Sequence, residues 1–79
     1  MPKIIELQPG ERPGEKPYLL VDCVAGTRYN RQSIHHTNGI TETIDPDDLE
    51  HLLPVFVANA GHQGFDVVYV RGTLAKQRA

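Results

Sequence analysis

Residues 45–61, DPDDLEHLLPVFVANAG, carry the strongest structural signal in this chain of 79 residues, and they predict its one helix. Asp45 is a suitable N-cap, and Pro46 suits the first helical position, where its missing N–H needs no partner. Apolar residues recur at helical spacing and predict one buried stripe: Leu49, Leu52, Leu53, Phe56 and Ala60. We expect Pro54 to kink the helix or divide it into two pieces, and Gly61 to end it in a left-handed cap.

Five segments outside the helix predict strands, and they give the order β-β-β-β-α-β. They are rich in apolar or β-branched residues: 3–7, 18–25, 34–37, 40–44 and 65–71. The expected fold is α+β, a small antiparallel sheet of four to five strands packed on one Pro54-kinked helix. With a single helix, we expect one face of the sheet to stay open to water or to a partner.

The chain reads as a single domain over residues 1–79, with one long loop and a basic end. Residues 9–17 hold three prolines and two glycines, so we expect a flexible, exposed connection there. Residues 73–79 form a basic tail.

Asn38-Gly39 lies between β-branched residues and predicts a hairpin, because both positions of a two-residue turn must accept positive φ. In that register His36 faces Thr41 and His35 faces Glu42. A carboxylate beside an imidazole can orient it as a base, although an ordinary cross-strand polar pair explains the same placement.

Composition and cysteine usage favour a globular cytoplasmic protein. The chain is 39% hydrophobic and 23% charged, and it has no apolar run near the ~20 residues that a membrane span needs. Its start, Met1-Pro2-Lys3, lacks the apolar core of a signal peptide. Cys23, the single cysteine, excludes an internal disulfide and is expected to be packed in a strand.

The formal net charge of −2 hides a strong segregation of charge. No Lys or Arg occurs between Gln32 and Val70, whereas that span holds six acidic residues. An acidic surface repels nucleic acid and attracts a basic protein surface. The predicted partner-binding residues are Glu42, Asp45, Asp47, Asp48 and Glu50, with Val55 as an exposed apolar contact. For the three aspartates, helix initiation is an alternative explanation.

Binding to nucleic acid is the first alternative function. It would use Arg28, Tyr29, Arg31, Arg71, Lys76 and Arg78, since cations interleaved with an aromatic ring can bind phosphate and stack a base. If the third strand and the last strand are neighbours, these residues would form one patch.

Enzymatic chemistry has one point of support in the sequence. Met1-Pro2 followed by a short apolar strand resembles the tautomerase superfamily, whose amino-terminal proline is catalytic, and the resemblance implies a Pro2-dependent enzyme as the second alternative. No metal or cofactor is expected. His35 and His36 are adjacent on a strand and point to opposite faces, and His51 and His62 lie elsewhere.

These observations favour a non-enzymatic protein-protein interaction protein. In size and acidity the chain is similar to the small inhibitors that phages and mobile elements direct at host machinery, anti-CRISPR proteins among them. That similarity implies that the acidic helix-hairpin surface competes with nucleic acid for a groove lined by Lys and Arg. The expected partner is a protein with a basic surface, no membrane is involved, and a homodimer stays open.

Overall fold

The computed structural model describes residues 1–73, which form five strands and one helix in the predicted order. The strands are β1 (Lys3–Glu6), β2 (Tyr18–Cys23), β3 (Gln32–His36), β4 (Gly39–Ile44) and β5 (Val67–Arg71). A 3-10 turn at Pro46–Asp48 leads into the helix α1, Leu49–His62. The α+β class is confirmed, with α1 as the predicted helix. Apart from Thr73, the predicted basic tail lies outside the described residues.

The sheet is mixed, so the prediction of an antiparallel sheet is wrong. Its strand order is β1-β5-β2-β4-β3, and only β3 and β4 are antiparallel. The pairs β1–β5, β5–β2 and β2–β4 are parallel. The physical reason lies in the connections: both the proline-rich loop and α1 carry the chain back along the sheet before the next strand begins, and parallel strands need such long crossovers.

Both faces of the central strands are buried, which corrects the expectation of one open face. On one face Phe56, Val57 and Ala60 of α1 pack against residues of β2, β4 and β5. On the other face, the second face, a smaller cluster contains Leu7, Leu20, Val67 and Tyr69. Cys23 is a buried thiol in the helix-facing cluster, as predicted.

The loop at residues 9–17 is attached to the second face by Tyr69. This ring is 3% exposed, and its hydroxyl oxygen accepts hydrogen bonds from the backbone N–H groups of Gly14 (3.1 Å) and Glu15 (2.9 Å). Lys3 lies 2.6 Å from the Glu15 carboxylate, and that hydrogen bond, followed by charge attraction, raises the pKa of Lys3. The loop therefore covers the sheet where a second helix would lie in a larger α/β protein.

The hairpin forms, but its register differs from the predicted one. His36 pairs with Gly39 and Ser33 pairs with Glu42, so the two-residue turn is Thr37-Asn38 and His35 does not face Glu42. Gly39 has a φ of +146°, whereas no residue other than glycine has positive φ within residues 1–73. A Cβ atom at Gly39 would lie 1.8 Å from the Tyr18 carbonyl oxygen. The close approach of β2 therefore places this glycine in β4 rather than in the turn.

The ends of the helix confirm one prediction and correct another. Asp45 caps the 3-10 turn through a hydrogen bond from the Asp47 N–H, and Pro46 begins that turn as predicted. α1 runs without interruption through Pro54, so it is not two pieces, and the kink stays a prediction. Gly61 lies inside α1, and the left-handed glycine is Gly64, with a φ of +86°.

Candidate functional site

The parallel strands bring carboxylates from several parts of the chain to one edge of the sheet. β1, β2, β4 and β5 run in the same direction, so their carboxyl ends meet at this edge, which we call the carboxyl edge. It carries six acidic residues: Glu6, Asp22, Asp45, Asp47, Asp48 and Glu50. Three arginines lie at the same edge: Arg28, Arg31 and Arg71. Glu6 and Asp22 could not be assigned to this edge from the sequence, because only the strand directions place them here.

Two of the predicted partner-binding aspartates hold the local structure together. The Asp45 carboxylate accepts hydrogen bonds from the N–H groups of Gly26 (3.0 Å) and Asp47 (2.9 Å), and so joins the β2–β3 loop to the start of the helix. Asp47 forms an ion pair with Arg28 at 3.2 Å. The cap formed by Asp45 supports the alternative explanation, helix initiation, for that residue, whereas the Asp47 carboxylate is compensated by a cation.

Asp22 is also compensated by a cation. It lies opposite Arg71 in the β2–β5 register, and the guanidinium donates two hydrogen bonds to it, at 3.1 and 2.9 Å. The hydrogen bonding with Asp22 raises the pKa of Arg71, against the opposing effect of burial. A bidentate ion pair of this kind holds the ends of β2 and β5 together and leaves little net charge to attract a partner.

The carboxyl edge has three further carboxylates whose charge can act on a partner: Glu6, Asp48 and Glu50. None of them forms an ion pair with another residue in the described part of the chain. Glu6 accepts a hydrogen bond of 2.6 Å from the Thr73 hydroxyl. Glu50 is exposed and Asp48 is half-buried, without a capping hydrogen bond from its side chain. The edge is therefore negatively charged at the start of α1.

Glu42 and Val55, the other two predicted contacts, lie apart from these three. Glu42 is on the helix-facing side of β4, between Ile40 and Ile44, and its Oε2 accepts a hydrogen bond of 3.1 Å from the Ser33 hydroxyl. Its Oε1 is enclosed and has no hydrogen-bond partner among residues 1–73. Val55 is 50% exposed on α1. The predicted residues thus form no single continuous acidic surface.

Within residues 1–73, the cations of the nucleic-acid alternative do not form one patch. β3 and β5 are separated by β4 and β2, so the condition under which these residues would form a single patch is not met. The Arg31 guanidinium lies 5.5 Å from the centre of the Phe56 ring, on the helix side, whereas Arg71 is on the second face. Tyr29 is exposed. Lys76 and Arg78 lie outside the described residues.

An apolar groove runs between α1 and β1 and reaches the carboxyl edge. We call it the α1/β1 groove; its larger part has a volume of about 680 Å³, and Ile4 and Val57 are among the residues that line it. Its smaller part, of about 380 Å³, is lined by Glu6 and Glu50. Leu53 and Pro54 line both parts, so the two parts are adjacent. Pro2, the residue of the tautomerase-like alternative, lies in the wall of the larger part.

Metal-ligating side chains do not converge in the part of the chain that the structure describes. No three His, Cys, Asp or Glu residues there are placed to share a metal ion. His35 and His36 point to opposite faces, as predicted; the Nε2 atom of His36 is 3.1 Å from the Thr41 hydroxyl. Within the same residues, the helix is too short and too polar to cross a bilayer.

No protein-family model matches the sequence, and neither a curated protein nor a solved structure is detectably similar to it. The site must therefore be interpreted from its own geometry and charge.

Proposed function

We propose that this protein is a small non-enzymatic interaction protein, which acts in the cytoplasm by binding a basic surface of a nucleic-acid-handling partner. In mode of action it is an inhibitor of the kind that phages and mobile elements use, anti-CRISPR-like in character. The contact surface is the carboxyl edge around the start of α1.

The observation that carries the proposal is a set of carboxylates at one edge of the sheet, Glu6, Asp48 and Glu50, that have no ion-pair partner among residues 1–73. Charges of one sign on a small domain steer an oppositely charged partner and raise the association rate more than they raise the affinity. The same carboxylates would occupy Lys and Arg side chains that otherwise hold phosphate, so binding would exclude nucleic acid.

The test begins with identification of the partner by affinity capture from a host lysate and mass spectrometry. Association rates with the purified partner are then measured over a range of salt concentrations for Asp48→Lys and Glu50→Lys. We expect each variant to associate about tenfold more slowly at low salt and to show a flatter salt dependence, because the steering field is weakened.

The matched control is Asp66→Lys, which makes the same change of charge at an exposed position just before β5, at the opposite edge of the sheet. This variant is expected to retain most of the wild-type rate. Equal slowing by the edge variants and the control would indicate an effect of net charge alone, and unchanged rates in all three variants would refute the proposal. Binding of a short oligonucleotide by the wild-type protein would favour the nucleic-acid alternative instead.

A further inference from the structure

We infer that the α1/β1 groove binds a peptide segment of a partner protein, one that carries apolar side chains and ends in Lys or Arg. The inference rests on the proposed function, since it names the part of the basic partner that lies next to the carboxyl edge.

The residues that line the groove run along α1 from Leu49 to His62, an extent that suits a segment of chain. The 14 residues of α1 span about 21 Å. Leu53 and Pro54 line both parts of the groove, so the parts lie next to each other and one extended segment could contact both. A peptide of six or seven extended residues covers about the same distance.

The larger part of the groove has apolar walls that no described residue covers. Ile4 on β1 is 53% exposed although it points to the same side of the sheet as the helix. On the helix side, the groove includes Ala58, which is exposed, and Leu53, which is half-buried. Burial of these side chains by a partner would stabilise the complex in proportion to the apolar area removed from water.

The negative charge at the carboxyl-edge end of the groove determines which way the occupant lies and which side chain it places there. Ile4 and Glu6 are two residues apart on β1, so both side chains face α1. Glu6 and Glu50 line the smaller part of the groove, and its described lining includes no Lys or Arg. A cationic side chain of the occupant would therefore contact these two carboxylates, while apolar side chains lie against Ile4, Leu53 and Ala58.

The experiment selects ligands from a phage-displayed library of random peptides of about twelve residues, a length that exceeds the span of the groove. The full-length protein is the target, and the selected peptides are synthesised and their affinities measured. We expect the selected sequences to share apolar residues with a Lys or Arg at one end.

The decisive comparison uses a matched pair of isoleucines. Ile4 lines the groove, whereas Ile34 lies on the opposite edge strand; they are 53% and 52% exposed. We expect Ile4→Ser to weaken peptide binding about tenfold or more, and Ile34→Ser to leave it within twofold. Glu50→Gln should weaken binding of the basic peptides severalfold. Selected peptides without a basic residue, or equal effects of the two isoleucine variants, would overturn the inference.

Two further outcomes would assign the groove to a different occupant. Tighter peptide binding by the full-length Lys76→Ala/Arg78→Ala variant would mean that the chain's own cations compete for the groove. A dimer that dissociates in Ile4→Ser would mean that a second copy fills it. Either result overturns the partner assignment. Asp48 does not line the groove, so a loss of partner association in Asp48→Lys tests the proposed function separately from the groove.

Discussion

Gly39 shows how one residue permits two strands to approach each other. It begins β4 beside the carbonyl oxygen of Tyr18, and Tyr18 in turn donates its N–H to the carbonyl of Asn38 at 2.9 Å. A side chain at position 39 would occupy the space of the Tyr18 backbone. The parallel β2–β4 pair therefore depends on a glycine at this position.

Substitution of Gly39 by alanine should destabilise the fold strongly. We expect Gly39→Ala to lower the free energy of unfolding by about 3 kcal/mol or more, since it adds steric overlap to an unfavourable φ. Gly26 has a φ of +88°, and a Cβ atom there would have open space around it. Gly26→Ala therefore changes only the backbone conformational energy, and it should lower the free energy of unfolding by about 1 kcal/mol. Urea unfolding of the three proteins measures both values. Equal losses would show that the close approach is absent.

At the scale of the elements, two glycines near the end of α1, Gly61 and Gly64, have different roles that the sequence does not distinguish. The N–H of Gly64 donates to the carbonyl of Gly61 at 3.2 Å, and the N–H of Phe65 donates to that of Ala60 at 2.9 Å. These two bonds form a Schellman motif around the left-handed Gly64. Phe65 then packs against the helix-facing cluster, which fixes the direction in which β5 begins.

Substitution by alanine should change the stability of the fold in opposite directions at these two glycines. Gly61 is helical, and a Cβ there would meet only the Pro2 ring at ordinary contact distances, so Gly61→Ala should raise stability by about 0.5–1 kcal/mol. Gly64→Ala should lower it by about 1 kcal/mol, because alanine disfavours the left-handed conformation. Thermal unfolding of both variants is a sufficient measurement. Stabilisation by Gly64→Ala would place the helix end elsewhere.

At the scale of the whole molecule, stability should be graded across the sheet from its centre to its edges. β5 lies between β1 and β2, and four of its five residues are buried, whereas all five residues of β3 are exposed. In native-state hydrogen exchange we expect the amides of β5 and β2 to exchange slowest, through near-global unfolding, and those of β3 to exchange fastest among the strands. Protection of β3 equal to that of β5 would indicate that another chain covers this edge.

The local elements could be predicted from the sequence because their signals are local. The cap at Asp45, the 3.6-residue stripe of α1 and the apolar runs of β2 and β5 each depend on residues a few positions apart. The hairpin register could not be predicted, since Gly39 serves a contact with Tyr18, twenty-one positions earlier, rather than the turn. The Gly61 cap was wrong for a different reason: Gly61 and Gly64 lie three positions apart, and either glycine could end the helix.

At the candidate site, too, part of the acidic surface could be predicted from the sequence and part could not. The excess of carboxylates was visible in the sequence, but Asp47 is paired with Arg28 and Glu42 lies on the helix-facing side of the sheet. Glu6 joins the site from the other end of the chain. Pairing across nineteen positions between Arg28 and Asp47 is a property of the folded chain that charge counting cannot provide.

By itself, the sequence determined the class of fold, the number and order of the elements and the excess of negative charge, because these follow from spacing and composition. Only the tertiary structure decided that three of the four strand pairs are parallel, and hence which carboxylates share an edge and which are compensated. Strand direction depends on how each connection crosses the sheet and what it buries there. That choice is made by contacts such as those of Tyr69 with the 9–17 loop, between residues far apart in the chain.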